Sequence, residues 1–438
     1  MPLPIQTLKW TPKDPDPELE AYLRTPATDP AAERVAAETI AAVRAGGDAA
    51  LVRLAAQYDG VALSPETLAV PKSERTAALD AATPEFKRIL AETIRRIAAF
   101  GKAGMRQDWS IASARGGILG EQFTPIDRVG VYVPGGTAPL VSTALMTLVL
   151  AKVAGVPEIV ACTPARRADG AIDPHLLCAI ETAGATEVYR IGGTQAIAAL
   201  AYGTETIRPV RKIVGPGGPY VAAAKKLVYG QVDLDMVAGP SEIAILADDT
   251  ANPAHIAADF MSQLEHGSGR ERALLATPSA FLLKNVQAEL DRQIETLSRA
   301  DYIRKASAGA RFVLAETLDA AADVVNRFAP EHLEIQTREP RLWLRKIKNA
   351  GAIFVGAWTP ESAGDFAAGP SHVLPTGGTA ACFSGLTVDS FRKRSSIIAY
   401  TRADLLEALP VIETLAATEG LDAHARSAAI RFDAPPAP

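Results

Sequence analysis

Glu331 and His332 stand side by side in a chain of 438 residues that carries only six histidines, at positions 175, 255, 266, 332, 372 and 424. An acid beside an imidazole is a proton-handling pair near neutral pH. Most such dipeptides are solvated surface pairs, so the placement of the other histidines has to separate the two readings. The last four each lie within two residues of an acid or of a glycine or proline turn, which suits a site and serves no core. Asp365 precedes His372 by seven residues in the Gly/Pro-rich run 364–372, and such a pair can bind a metal or a polar substrate. Gln263 and His266 are three residues apart at the end of an expected helix. That spacing puts both side chains on one helix face, where the negative end of the helix dipole favours a cation. The competing reading is a helix-capping histidine beside an exposed glutamine. His255 lies about three turns away, roughly 16 Å along the axis, too far to share an ion, and is read as a surface residue.

With Asp365 and His424, the pair Gln263 and His266 would form an oxygen and imidazole donor set, which suits zinc or another borderline divalent ion. Thiolates play no part in it. The three cysteines, Cys162, Cys178 and Cys382, are widely spaced and odd in number, which argues against a disulfide framework and a Cys-rich zinc site. His372 and Glu419 are then left for a polar substrate, and Glu331 and His332 for proton transfer.

These side chains need a scaffold. With 48% hydrophobic and 22% charged residues, the chain can bury the cores of two or three domains. A net charge of -5 and no basic run longer than Arg392–Arg394 argue against nucleic acid as partner. No apolar run approaches the roughly 18 residues of a membrane span, and the N-terminus lacks a signal-peptide pattern, so a cytoplasmic protein acting on small molecules is expected. Residues 1–27, rich in proline and charge, read as an arm. Helices are expected from Thr28-Asp29-Pro30 to 44, over 48–58, and from Thr83 to 100. From Arg128 short apolar runs end in glycine or proline turns and feed helices: 129–133, 158–162, 188–191 and 212–214, then 242–247, 273–276, 311–315, 333–336 and 352–355. This rhythm predicts an α/β protein with two doubly wound, parallel-sheet domains joined near 236–241. Glycines at strand ends leave backbone N–H groups free where dinucleotide phosphates bind, although no standard Gly-x-Gly-x-x-Gly fingerprint is present. The loop 358–378 would lie over the cleft between strand ends. A short helix from Asp404 to 409 and another after Pro410 would follow.

Taken together, these residues resemble the histidinol dehydrogenase family. The resemblance runs through Asp127-Arg128-Val129-Gly130-Val131-Tyr132-Val133-Pro134-Gly135-Gly136, Gly192-Gly193-Thr194-Gln195-Ala196 and Gly239-Pro240-Ser241-Glu242. It continues through Glu265-His266-Gly267, Ala329-Pro330-Glu331-His332-Leu333, Glu361-Ser362-Ala363-Gly364-Asp365, His372-Val373-Leu374-Pro375-Thr376 and Ala423-His424. It implies a zinc- and NAD-dependent oxidation of L-histidinol, through the aldehyde, to L-histidine. The implied zinc ligands are Gln263, His266, Asp365 and His424. Ser241, His332, His372 and Glu419 would line the substrate pocket with those ligands, and Tyr132 and Gln195 would contact NAD. His332 is the implied base, and Glu331 the group that activates water on the aldehyde. The fold implied is two incomplete Rossmann-like domains, 28–131 with 241–386 and 132–240, and a helical C-terminal segment 387–438 that crosses to the other subunit of a homodimer with shared sites. At one position the chain departs from the resemblance. Gly218 stands where the family has an Asn that contacts NAD, and glycine offers no side-chain amide. A related dehydrogenase of another small polar alcohol is the alternative, but Glu419 disfavours a sulfonated substrate.

Overall fold

The computed structural model describes residues 3–11, 13, 16–24, 30–135, 139–237 and 239–433. The expected helix start at Thr28 and Asp29, and Gly136 of the first glycine turn, lie outside them. The described chain forms two compact units, residues 1–104 with 126–391, and residues 105–125 with 392–438.

Two parallel sheets build the first unit. The six-stranded sheet runs, edge to edge, Gln6–Trp10, Ala310–Ala315, Arg272–Thr277, Glu242–Ala247, His332–Gln336 and Ala352–Val355, with every pair parallel. The five-stranded sheet runs Glu187–Tyr189, Glu158–Cys162, Arg128–Tyr132, Lys212–Val214 and Asp233–Leu234, again all parallel. In both, the first strand of the α/β series lies inside the sheet, the next two build outward on one side and the following two on the other. The strand order therefore reverses beside Arg128–Tyr132 in one sheet and beside Glu242–Ala247 in the other. Side-chain alternation explains why the strands read as continuous apolar runs. Ile243, Ile245 and Ala247 face a core with Ile256, Phe260 and Val286, while Ala244 and Leu246 face one with Val324, Val325 and Phe328. Each face is covered by helices, so both sets are buried.

The expected α/β architecture stands, but its boundaries shift. The N-terminal arm holds the edge strand Gln6–Trp10, whose Leu8 and Trp10 are buried; the proline-rich run just after it obscured this short alternation. Expected helices 30–44 and 48–58 form one helix, Pro30–Leu54, kinked at Gly47 (φ 48°) and followed by a wide turn Ala55–Asp59. That helix packs Ala36, Ile40, Val43 and Leu51 against Val160, Ile191 and Leu200 of the five-stranded half. It was expected in the other domain, as was Arg128–Tyr132, which is central to the five-stranded sheet.

The second unit combines an antiparallel sheet, ordered Arg392–Ala399, Ile118–Pro125 and Trp109–Ala112, with helices Arg402–Glu419 and Asp422–Ala429. The C-terminal segment is thus not purely helical, and it recruits residues from before the first glycine turn. Helix Arg402–Glu419 runs through Pro410, where a break between two helices was expected. Asp404 closes a capping box with Thr401 and accepts bonds from Ser113 Oγ and the Arg115 and Gly117 amides. This carboxylate ties the helix start to the hairpin before it. Among the described residues, no helix is long and apolar enough to cross a membrane.

Candidate active site

The strand His332–Gln336 begins immediately after helix Leu318–Phe328, and the connection is abrupt. Ala329 takes a left-handed conformation (φ 47°), which costs a residue with a Cβ roughly 1 kcal/mol. The turn delivers Glu331 and His332, both buried, against the first residue of the neighbouring strand. The Glu242 amide donates to Glu331 Oε2 (3.0 Å), and the Glu242 carbonyl accepts from His332 Nδ1 (3.1 Å). With Nδ1 as donor, the lone pair is on Nε2, and that nitrogen is buried without a hydrogen-bond partner. A base whose tautomer is set by a backbone carbonyl on its far side is ready to take a proton.

Gln263 lies in the last turn of helix Pro253–Leu264, and His266 just beyond it. The helix is capped by Asn252 and started by Pro253, and Ile256, Phe260 and Leu264 bury its apolar stripe. Gln263 is fully buried beside His332 Nδ1, 3.0 Å away. Asp365, in the wide turn Gly364–Ala368, places Oδ1 3.8 Å from His332 Nε2 and 3.9 Å from His372 Nδ1. His372 Nε2 in turn meets Thr143 Oγ1 at 3.3 Å. Ligand atoms of His266, Asp365 and Glu361 lie within 4.8 Å of one another.

A cavity of about 680 Å³ opens over this group. Its polar end is lined by Ser241, His266, Glu331, His332, Asp365 and His372, and its walls by apolar residues such as Phe86, Ile89, Leu140 and Val141. It adjoins the carboxyl ends of the five-stranded sheet, through Pro134 and Pro216 to Gly218, but the amino ends of the six-stranded sheet, where His332 and Ser241 stand. The expected cleft therefore uses opposite strand ends in the two sheets.

Burial governs the electrostatics. It drives His332 down to about 3 and His372 down to about 4, helped by neighbouring imidazoles, so both rings are neutral near pH 7. Burial raises Asp365 to about 6, and holds Glu331 and Glu361 well above the usual carboxylate range, with neighbouring carboxylates adding to the effect. Among the described residues, none of Glu331, Glu361 and Asp365 is ion-paired with Lys or Arg; the imidazoles of His332, His372 and His266 are their basic neighbours. Clustered buried acids with imidazoles and no cation are the donor set a divalent ion neutralises. The residues fit the expected metal.

Of the expected site residues, the first unit brings Ser241, Gln263, His266, Glu331, His332, Asp365 and His372 into one region. Tyr132 and Gln195 are buried and do not line the cavity. Tyr132 Oη accepts from the Gly193 amide at 3.1 Å and Gln195 donates to Asp59 at 3.2 Å, so both brace the glycine turns. Glu419 and His424 are exposed on the helices of the second unit. Glu361 and Thr143 escaped notice in the sequence. An acid one helical turn before Asp365 was the available signal for Glu361; nothing marked Thr143.

A family model described as histidinol dehydrogenase matches residues 23–432. The chain belongs to the histidinol dehydrogenase family. It is 49% identical over 396 residues to the histidinol dehydrogenase of Moorella thermoacetica, covering 90% of this chain and 93% of that one. It is 48% identical over 402 residues to that of Geobacillus kaustophilus, covering 91% and 94%. A crystal structure of histidinol dehydrogenase from Elizabethkingia anophelis superposes with a TM-score of 0.92 at 32% identity, covering 98% of each chain. Membership in the histidinol dehydrogenase family makes the chain an oxidoreductase.

Proposed function

We propose that the chain oxidises L-histidinol to L-histidine in two steps with two molecules of NAD, holding the substrate through a divalent zinc ion. The observation that carries this reading is His332 Nε2, a buried, unpartnered base facing Asp365 at the floor of a cavity large enough for a small molecule beside a dinucleotide arm. Gln263, His266 and Asp365 would hold the metal, with His424 completing the set. When bound, the ion supplies a Lewis-acidic anchor for the substrate's amine and imidazole, and the nicotinamide supplies the hydride acceptor.

The chain's own residues manage position and protons. In the first oxidation His332 Nε2 accepts the hydroxyl proton as the carbinol carbon gives up hydride. In the second, Glu331 removes a proton from the water that adds to the aldehyde, whose oxygen takes up the proton His332 gained in the first step; the resulting neutral diol then loses hydride while His332 takes one hydroxyl proton, leaving the carboxylic acid. Each oxidation thus removes two electrons as hydride and leaves a proton for the protein to pass to solvent. His372, held by Thr143, and Ser241 line the substrate end. Tyr132 serves the cofactor by bracing the turn at Gly193, and Gln195 by tying the start of the following helix to Asp59.

The reading extends to a homodimer with shared sites in the cytoplasm. Its support is the second unit, whose Ile398, Val411 and Leu415 are 71%, 60% and 56% exposed, an apolar surface that suits a partner chain. His424 and Glu419 then serve the partner's site. Purified protein given L-histidinol and NAD should form two NADH per substrate consumed; one NADH per substrate, with the aldehyde accumulating, refutes the four-electron reaction. An alternative small polar alcohol is not favoured by the relatives found.

A further inference from the structure

Glu361 is almost wholly buried and forms no ion pair with Lys or Arg among the described residues. Burying such a group is costly unless it is fully hydrogen-bonded, so its contacts matter. Oε2 accepts from Ser262 Oγ at 3.0 Å. Oε1 lies 3.3 Å from His332 Nδ1. The same oxygen is 2.9 Å from the Gln263 side-chain nitrogen in the orientation that satisfies both ends of the amide, where that NH2 also lies 3.1 Å from the Glu242 carbonyl and 3.0 Å from His332 Nδ1; with Nδ1 carrying its own proton, the two amide hydrogens go to the two oxygens. The Glu361 backbone amide donates to Glu334 Oε1 at 2.9 Å, which pins the start of the turn that carries Asp365.

We infer that Glu361 is a positioning residue that serves two functional groups at once: it holds the Gln263 amide with its oxygen free to ligate metal, and it steadies His332 from behind through Nδ1. A glutamine side chain is symmetrical in shape but not in chemistry, since only its oxygen binds a cation. An acceptor carboxylate on the nitrogen side selects the ligating orientation. Partners of this kind, one bond removed from the metal, set ligand orientation in metal sites and commonly change affinity by 10- to 100-fold when lost. Ser262, adjacent to Gln263 in the chain, fixes the other carboxylate oxygen, so the ligand and its orienter are tied to one helical turn.

The inference rests on the proposed metal-dependent reading, and its test separates the two. Glu361→Gln keeps the volume but presents an NH2 of its own, which lets the Gln263 amide turn over. Zinc affinity of the full-length protein, measured by competition with a chromophoric chelator, should fall about 10- to 100-fold. In the same preparation kcat with L-histidinol should fall while KM for NAD changes less than twofold. Zinc affinity and kcat both at the parental level overturn the assignment, as does an equal change in kcat and in KM for NAD, the pattern of general loosening. If Glu361→Gln fails to fold, Ser262→Ala provides the second reading: a lesser loss of zinc affinity, two- to tenfold, is expected, and parental affinity there overturns the assignment. If the parent binds zinc but forms no NADH from L-histidinol, the reaction reading fails while the affinity comparison still decides the role of Glu361.

Discussion

The two nitrogens of His332 have different tasks, and a substitution that keeps a polar group but removes the base tests the second of them. Nδ1 is bound to the Glu242 carbonyl and Nε2 is unpartnered, so His332→Asn retains a polar group in the pocket but no base. Turnover should fall about 10²- to 10⁴-fold, the usual range for a lost general base, while zinc content measured by atomic absorption stays near parental; near-normal turnover would exclude His332 as the base. Glu331→Gln should slow oxidation of the aldehyde more than oxidation of the alcohol, because only the second step consumes water, and equal losses would remove Glu331 from that role. Gly218 gives a prediction of opposite sign. It lines the cavity with ordinary extended backbone (φ -65°), and a Cβ added there meets nothing. Gly218→Asn should therefore be tolerated and lower KM for NAD. One regained hydrogen bond is worth about 0.5–1.5 kcal/mol, or roughly a two- to tenfold decrease, and an unchanged or higher KM would show that the cofactor does not reach this turn.

Elements hold these residues through a few buried polar ties. The turn that begins at Gly215 is fixed by the fully buried pair Lys225 and Asp235: Lys225 Nζ donates to the Gly215 carbonyl (2.9 Å) and Asp235 accepts from the Gly215 amide (2.7 Å). Gly215 itself sits at φ 115° with the Tyr132 carbonyl where a Cβ would be, so only glycine fits. Breaking the pair with Lys225→Met should destabilise the protein by about 3–5 kcal/mol, read as a fall in denaturant midpoint. At the other end of the same sheet, the Arg128 guanidinium binds Glu187 through two hydrogen bonds and draws it down to about 2. A carboxyl depressed in the folded state contributes stability above its unfolded value, near 4.5, and loses that contribution as pH falls toward 2. Thermal unfolding midpoints should therefore drop between about pH 5 and pH 2, and Glu187→Gln should flatten that decline; an identical decline would assign acid sensitivity elsewhere.

At the scale of the molecule, two sheets with the same strand order present opposite ends to one cavity. The five-stranded sheet offers the carboxyl ends expected of a dinucleotide fold, whereas the six-stranded sheet offers amino ends, because His332 and Glu242 are the first residues of their strands. Donors from Gln263 to His372 meet across more than one hundred residues of chain, and the second unit carries His424 and Glu419 on exposed helices. If sites are shared between subunits, mixing inactive His332→Asn and His424→Ala variants under conditions of subunit exchange should restore up to about a quarter of parental NADH formation, the fraction of sites built from two intact halves in a random mixture. No recovery despite demonstrated exchange would confine each site to one chain.

The amino-acid sequence by itself determined which chemistry was available. Four of six histidines beside acids and turns, cysteines too few for a thiolate site and strand-helix alternation from Arg128 onward already specified imidazole and carboxylate chemistry on an α/β scaffold, since donor type and periodicity are local properties of the chain. Tertiary structure alone decided which atoms face one another. That Glu242, through its backbone, holds both Glu331 and His332, that Glu361 closes behind Gln263, and that Tyr132 and Gln195 brace a turn depend on strand register and burial. Edge strand Gln6–Trp10 shows the same limit: its partner, Ala310–Ala315, lies some three hundred residues away. Such pairings are set by long-range packing, to which a local pattern of residues is blind.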